Sequence, residues 1–230
     1  MPPPYETILL DFDHTLLDSD TSEALAFEST LSGVGISDPS QHFSTYKTIN
    51  TSLWARVEAG ELSPNDVKVQ RFAALLDDIG VDADPHAMGQ QFVEGLAEFG
   101  ELYPGAREIL ELLTDAATLA MITNGIGYVQ RTRIDRLGLG SYFSAIVISG
   151  EFGASKPGSE IFEHTFDVLG RPDPEASIMV GDSLSSDIRG GAQYGIDTCW
   201  YNARRTAAPA DADVSIEVAD LAELSQLITS

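Results

Sequence analysis

The sequence predicts an α/β protein, a Rossmann-like three-layer parallel sheet into which a block of four helices is inserted. Short apolar segments of strand length alternate with amphipathic segments of helix length along most of the chain, which is typical of a parallel sheet covered on both faces. Between residues 20 and 99 this alternation stops, and only helical patterns follow one another. Three of the apolar segments end in polar residues. Ligands bind at the carboxyl ends of parallel strands, so this pattern indicates a binding site there.

The predicted elements begin with a strand, Thr7–Leu10, that runs into a polar cluster. In the helical block, Asp20 with Glu23 has the pattern of an N-cap and its N3 partner, and Ser63 and Asp84 each stand before a proline that suits the first helical position. The remaining chain alternates strands and helices. The predicted helices are 23–31, 40–58, 64–80, 85–100, 106–113, 126–137, 158–169, 184–194 and 221–228, and the predicted later strands are 117–122, 145–148, 177–180, 198–201 and 214–218.

Composition excludes several classes of function. The chain has 230 residues, and its 36 acidic against 13 basic residues give a formal net charge of −23. The length suits one domain with an insertion. So negative a surface repels phosphate backbones, and we therefore expect no duplex nucleic acid as a partner. An anionic substrate would need a local cation or metal.

The cellular location of the protein is predicted from its apolar segments, its first residues and its cysteine content. No stretch approaches the roughly 20 apolar residues of a membrane span, and the segment 1–6 has no basic region typical of a secretory signal. The single Cys199 excludes an intramolecular disulfide and, within an apolar strand, is expected to be an inert core thiol. These features predict a cytoplasmic protein with no membrane partner, as a monomer or a homodimer.

The polar residues that follow the strands are the candidate site. Asp11 and Asp13 follow the first strand, Thr123 and Asn124 end the second, and Asp182 ends the strand 177–180. In a parallel sheet these ends lie on one edge. Lys156, in the loop after the strand 145–148, and Asp187, a few residues beyond Asp182, can reach the same edge.

This set of side chains suits phosphoryl transfer. Crowded carboxylates repel one another, and a hard cation such as Mg²⁺ relieves the repulsion. A carboxylate can attack phosphorus as a nucleophile, while Thr123 and Lys156 offer donors to the phosphoryl oxygens. Asp13 points to the same side as Asp11, where it can give a proton to the leaving oxygen and later take one from water. Each motif alone is also explained by turn or capping chemistry, and it is their agreement that favours a site.

Together the motifs resemble those of the haloacid dehalogenase (HAD) superfamily of phosphohydrolases. Asp11-Phe12-Asp13-His14-Thr15 matches its Asp-x-Asp-x-Thr motif, and the other motifs are matched by Thr123, by Lys156, and by Gly181-Asp182-Ser183 with Asp187. One departure is His14, where many members carry glycine. The resemblance extends from Ile8 to Asn202 and implies a Rossmann-like catalytic core of residues 1–18 and 100–230 with a helical cap of residues 19–99.

The resemblance also implies a role for each residue. Asp11 would be the nucleophile that forms an aspartyl-phosphate, and Asp13 would be the general acid and base. Thr123, Asn124 and Lys156 would hold the phosphoryl group. The implied cofactor is Mg²⁺, with Asp11, the backbone carbonyl of Asp13, Asp182 and Asp187 around it, Asp187 directly or through water. The carboxylate at Asp13 favours phosphate esters, because dehalogenases and phosphonatases of the superfamily lack it.

A finer resemblance, to bacterial pyrimidine 5′-nucleotidases of the superfamily, lies in 123–125 with Gln130 and Arg133, in 180–191 and in 197–202. It implies a small phosphorylated metabolite, a nucleoside monophosphate, as substrate. Phosphoglycolate and sugar-phosphate phosphatases share most of these motifs and stay as the alternative. Phe43, Tyr46 and Trp54 are expected to build the core of the cap, with stacking on a base as a second possibility.

Two other functions, neither of them catalytic, are alternatives to the phosphohydrolase. A phospho-accepting signalling module also combines Asp, Thr and Lys on a parallel sheet, but it places the acceptor after the third strand, where this chain has Ile148-Ser149-Gly150 and no Asp. A catalytically silent relative is disfavoured, because every motif carboxylate, the Thr and the Lys are present.

Overall fold

The structure is a computed structural model that describes residues 5–210 and 212–228, and its described residues form a six-stranded parallel sheet. The strand order is β3-β2-β1-β4-β5-β6, and every neighbouring pair is parallel. This confirms the predicted parallel sheet, including its last edge strand. The strands are β1 Thr7–Leu10, β2 Thr118–Thr123, β3 Ala145–Ile148, β4 Ser177–Gly181, β5 Asp197–Tyr201 and β6 Ile216–Val218.

Helices cover both faces of the sheet and complete the predicted three layers. Because side chains alternate along a strand, Ile8 and Leu10 of β1 pack into one hydrophobic cluster and Leu9 packs into another. The first cluster takes in residues of α5 (Ala106–Thr114), α6 (Gly127–Arg136) and a C-terminal 3₁₀ helix, and the second takes in residues of α8 (Ser159–Val168). The helices outside the insertion are α5 Ala106–Thr114, α6 Gly127–Arg136, α7 Ser149–Phe152, α8 Ser159–Val168 and α9 Arg189–Tyr194.

The inserted block lies between β1 and α5 and has a hydrophobic core of its own. Its centre is Tyr46 of α2, which contacts Phe27, Phe72 and Phe92 from the other three helices. This confirms that Tyr46 is a core residue of the block. The four helices are α1 Ser19–Gly33, α2 Phe43–Glu58, α3 Pro64–Ile79 and α4 Pro85–Glu98.

Capping residues set where three of these helices begin. The Ser63 hydroxyl accepts a hydrogen bond from Asp66 N, and the Asp66 carboxylate accepts one from Ser63 N, so α3 begins at the predicted Ser63-Pro64 pair. Asp84 caps α4 in the predicted way. The prediction for α1 is wrong, because its N-cap is Asp18, which accepts from Thr21 N at 3.1 Å, and not Asp20. The chain enters α1 earlier because the Asp18 N–H is already bound to the carbonyl of Glu101.

Three other predicted helices differ from those observed. The segment 40–58 starts as a 3₁₀ turn, Pro39–His42, before α2. The segment 221–228 is a 3₁₀ helix throughout. The segment 184–194 is divided into a wide π-helical turn, Leu184–Ile188, and α9. The short helix α7 has no counterpart in the prediction, since four residues are too few to show a helical period.

Two expectations about the surroundings of the chain can be compared with the structure. In the described ranges, no helix combines the length and the apolar character that crossing a membrane requires. Cys199 is buried, and burial raises the pKa of its thiol to about 12. The burial confirms that Cys199 is a core residue, and the raised pKa supports a thiol that stays protonated at neutral pH.

Candidate active site

The carboxyl edge of the sheet brings three predicted carboxylates together. Asp11 follows β1, Asp182 follows β4, and Asp187 stands in the π-helical turn after it. One oxygen from each of these three side chains lies within 4.8 Å of the others. Strand order explains this meeting, because β1 and β4 are direct neighbours in the sheet and end at the same level.

Lys156 supplies the positive charge at the centre of this cluster. Its side chain is only 1% exposed. The ammonium lies 2.6 Å from Asp11 Oδ1 and 2.6 Å from Asp187 Oδ1, and it donates to the Ile122 carbonyl at 2.7 Å. The Asn124 side chain accepts from Lys156 N and donates to Lys156 O, each at 2.9 Å. Asn124 therefore fixes the backbone that carries the ammonium.

One ammonium does not balance three carboxylates, and their pKa values reflect this. Burial and the neighbouring charges of Asp187 and Asp11 raise the pKa of Asp182 to about 8. Burial also raises the pKa of Asp11, although Lys156 opposes the rise. In both cases, added positive charge would favour the ionised form.

The loop after β4 is shaped around Asp187. This side chain is fully buried, and its Oδ2 accepts from Ser183 N at 3.0 Å. Gly181 has to be glycine, because a Cβ there would overlap the Asp187 carboxylate. The hydroxyl of Thr15, from the first motif, accepts from Asp182 N at 3.1 Å and so joins the loops after β1 and β4.

Asp13 lies beside the carboxylate cluster but is bound by a separate set of donors. Its carboxylate accepts from Ser19 Oγ at 2.5 Å, from Gln130 Nε2 at 2.6 Å and from the Arg133 guanidinium at 3.1 Å. Burial raises the pKa of Asp13, but Arg133 and the hydrogen bonds outweigh it, so the pKa is below its ordinary value. Asp13 is therefore ionised in this arrangement.

Arg133 of α6 links Asp13 to the inserted helices. It is 3% exposed, donates to the Leu96 carbonyl of α4 at 2.6 Å and also binds the hydroxyl of Ser22 in α1. Gln130 and Arg133 are expected from the resemblance to pyrimidine 5′-nucleotidases alone and are not predicted as site residues. The sequence signal for both is that a polar amide and a cation lie at inward-facing positions of a helix that follows a strand end at the sheet edge.

The cluster lies at one end of a cavity of about 410 Å³. Core residues and inserted helices both line it, which is the usual place for a ligand between two structural units. Thr123 and Asp187 are fully buried and are not among the described residues that line it, and Thr123 Oγ1 accepts from Gln130. The polar and aromatic lining includes Asp11, Asp13, Asn124, Lys156, Asp182, Glu23, Lys47, Asn50, Trp54, Glu58 and Arg71.

The departure at His14 has a local explanation. His14 has a φ of +58°, in the left-handed region that favours glycine. Its ring is partly exposed, lines the cavity and lies 3.9 Å from Asp20. The backbone of the first motif thus turns sharply at this position, and a side chain is accommodated because it points to open space.

The cluster fits a hard divalent cation. Its donors are carboxylate oxygens, the ligands preferred by Mg²⁺, and they are close together and under-neutralised. Asp11 and Asp182 line the cavity and are placed to act as ligands. Asp187 Oδ2 accepts from Ser183 N, and Oδ1 is buried, lies 2.6 Å from the Lys156 ammonium and has no hydrogen-bond partner among the described residues.

Comparison with known proteins shows the family of the chain. The profile of the haloacid dehalogenase-like hydrolases matches residues 8–201. The pyrimidine 5′-nucleotidase YjjG of Escherichia coli is 31% identical over 97% of this chain and 98% of its own, and the pyrimidine 5′-nucleotidase PynA of Streptococcus pneumoniae is 33% identical over 93% and 91%. The crystal structure of the putative HAD hydrolase YfnB of Bacillus subtilis superposes with a TM-score of 0.91, over 99% of this chain and 100% of that one, at 32% identity. That structure is bound to magnesium and reveals interdomain movement.

Proposed function

Because the chain belongs to the haloacid dehalogenase-like hydrolase family, as a phosphohydrolase, we propose that it hydrolyses the phosphate ester of pyrimidine nucleoside monophosphates through an aspartyl-phosphate. The observation that carries this proposal is the Lys156 ammonium, buried between Asp11 and Asp187 at the end of the cavity. Two relatives that match over nearly the whole chain are pyrimidine 5′-nucleotidases, which supports the substrate class.

In the proposed reaction, Asp11 attacks phosphorus and the bond to the ester oxygen breaks, while Asp13 gives its proton to that leaving oxygen. Water then attacks the phosphorus of the aspartyl-phosphate. Asp13 takes the proton of the water, and the bond between Asp11 and phosphorus breaks to release phosphate. Lys156 stabilises the charge on the phosphoryl oxygens. Asn124 helps to hold the phosphoryl group by fixing the Lys156 backbone. Thr123, which does not line the cavity, helps through Gln130, whose amide donates to its hydroxyl.

Asp13 has to be protonated for the first step, although Arg133 favours its ionised form. A phosphate dianion that enters the cavity brings negative charge next to Asp13, and a like charge raises the pKa of a carboxyl group. Substrate binding thus supplies the condition for proton uptake. Arg133, Ser19 and Gln130 keep the carboxylate oriented while its charge changes.

We propose that Mg²⁺ is the resident cation, held by Asp11, Asp182 and the backbone carbonyl of Asp13. When bound, the ion supplies positive charge that lets the phosphate dianion approach the nucleophilic carboxylate. Asp187 supports the site in this proposal by pairing its Oδ1 with the Lys156 ammonium and by holding the loop through Ser183 N.

The inserted helices have the role of a cap in the same proposal, with residues 19–99 as the cap and residues 1–18 and 100–230 as the catalytic core. Helix α4 packs on α6 through Val93, Ile126 and Val129, and Arg133 binds both α1 and α4. These contacts support a role in which the cap covers the cavity, excludes water and touches the leaving group.

Phosphate release across a substrate panel tests the proposed function. With Mg²⁺ present, we expect turnover of UMP, dUMP and TMP at a kcat/KM at least about tenfold above those of AMP, GMP, phosphoglycolate and sugar phosphates, a margin that two or three well-placed contacts supply. A preference for phosphoglycolate or sugar phosphates would keep the phosphatase and reject the nucleotidase.

Thermal unfolding with and without Mg²⁺ tests the cation. At 100 times its Kd, Mg²⁺ should stabilise the protein by about 2.7 kcal/mol, which is a rise in Tm of about 5–10 °C at this size. The pKa of Asp182 is raised to about 8 in the folded protein. Without metal, the contribution of Asp182 to the free energy of unfolding is therefore highest below about pH 4, where Asp182 is protonated, and falls as the pH rises toward 8.

The rise in Tm on adding Mg²⁺ should therefore be larger at pH 8 than at pH 6, since the ion binds the ionised carboxylate. EDTA should abolish turnover, and Mg²⁺ should restore it. Asp182→Asn should lose most of the metal-induced rise and its pH dependence. An equal rise in wild type and in this variant would reject Asp182 as a ligand.

A further inference from the structure

The inserted helices contain a buried polar cluster that the phosphoryl chemistry does not use. We name it the Glu23 cluster, and it consists of Glu23, Tyr46, Lys47, Asn50 and Arg71. The Glu23 carboxylate accepts from Tyr46 OH at 2.9 Å, from Lys47 Nζ at 2.6 Å and from Asn50 Nδ2 at 2.6 Å. Arg71 donates to Tyr46 OH at 3.1 Å. Burying a carboxylate costs free energy, and these hydrogen bonds and the Lys47 ion pair offset that cost.

Asn50 is the member of the cluster with an unused group. Its side chain is 8% exposed, and within residues 5–210 and 212–228 its Oδ1 has no hydrogen-bond partner. A buried carbonyl oxygen without a donor is rare in folded proteins. Asn50 also lines the cavity that contains Asp11 and Lys156.

The direction of the Asn50 oxygen is determined by Glu23. If the amide were turned over, Oδ1 would face the Glu23 carboxylate, and two acceptors would repel each other. Nδ2 therefore has to face Glu23, and Oδ1 is held as an acceptor without a donor of its own. The hydrogen-bond network around Glu23 thus leaves Asn50 Oδ1 without a donor.

We infer that the Glu23 cluster reads the nucleobase, and that Asn50 Oδ1 accepts the imide N3–H of a uracil or thymine ring. This rests on the proposed function, since it places the base of the monophosphate at the cap end of the same cavity. An imide edge presents an N–H between two carbonyl oxygens. Asn50 supplies the acceptor, and the cations of Lys47 and Arg71, which also line the cavity, supply donors for the carbonyls.

The other bases match this arrangement less well. Cytosine has no hydrogen at N3 and presents a ring acceptor to the Asn50 oxygen, which leaves both acceptors without a donor. Neither adenine nor guanine has a ring N–H between two carbonyl oxygens. Trp54 lines the cavity from α2 and offers a flat apolar surface for a ring.

The test compares UMP with 3-methyl-UMP, which lacks the N3 hydrogen, and uses p-nitrophenyl phosphate as a substrate without a base. For the wild type, kcat/KM for UMP should exceed that for 3-methyl-UMP and for CMP by about tenfold to a hundredfold. In Asn50→Ala, kcat/KM for UMP should fall by a similar factor, and the preference over 3-methyl-UMP should disappear. Turnover of p-nitrophenyl phosphate should be unchanged, and Thr48→Val, on the exposed side of α2, should behave as wild type.

The outcomes separate this inference from the function on which it rests. If the wild type hydrolyses UMP and 3-methyl-UMP equally well, or UMP and CMP equally well, Asn50 does not read the base and the nucleotidase stands. If it hydrolyses p-nitrophenyl phosphate and no nucleotide, the proposed function itself is overturned. The wild-type comparison needs no variant, so a failure of Asn50→Ala to fold leaves the test intact.

Discussion

Replacing Asp11 by asparagine is expected to lower phosphate release by at least about 10³-fold, the scale of loss when a covalent nucleophile is removed. An amide has no negative charge with which to attack phosphorus, although its shape and its contact with Lys156 can remain. The fold should therefore persist, as measured by Tm. Rapid acid quenching of the wild type during turnover should trap a phosphoryl group on the peptide that carries Asp11.

The matched control is Asp77→Asn, on an exposed position of α3. It should leave turnover and Tm unchanged. Full activity of Asp11→Asn would reject Asp11 as the nucleophile. A phosphoryl adduct on another peptide would assign the nucleophile elsewhere.

Replacing Lys156 by methionine is expected to lower the free energy of unfolding by about 3–5 kcal/mol, as found when one partner of a buried ion pair is removed. The variant leaves the carboxylates of Asp11 and Asp187 buried without the ammonium that lies 2.6 Å from each. Turnover should be lost together with stability. Urea unfolding without Mg²⁺ measures the change in stability, and added Mg²⁺ should restore part of it by neutralising the same charges.

Two variants make this experiment specific. Lys68→Met, which replaces a lysine of α3 that hydrogen-bonds Gln90, should cost less than about 1 kcal/mol, as for an exposed pair. The double variant Lys156→Met with Asp187→Asn should regain at least about 1 kcal/mol over Lys156→Met, because coupled charges are not additive. Additive losses would show that Lys156 stabilises the protein by packing alone.

Most of the architecture could be predicted from local patterns. Buried parallel strands such as β3 and β4 are continuous apolar runs, and their ends are marked by an abrupt change to polar residues. Ser63-Pro64 and Asp84-Pro85 indicate helix starts through chemistry contained within a few neighbouring residues. Where local signals compete, the prediction is wrong, as at Asp18 and Asp20, because a backbone bond to Glu101 decides where the chain turns.

The site divides in the same way. Asp11, Lys156, Asp182 and Asp187 were within reach of sequence reasoning, because strand ends of a parallel sheet meet at one edge whatever the details of packing. The connections of Arg133 to Asp13, Ser22 and Leu96, and those of Glu23 to Asn50, join helices far apart in the chain. Helical periodicity indicates that such residues face inward, but it carries no information about which side chain each one meets. That pairing depends on how the helices pack, and the tertiary structure alone decides it.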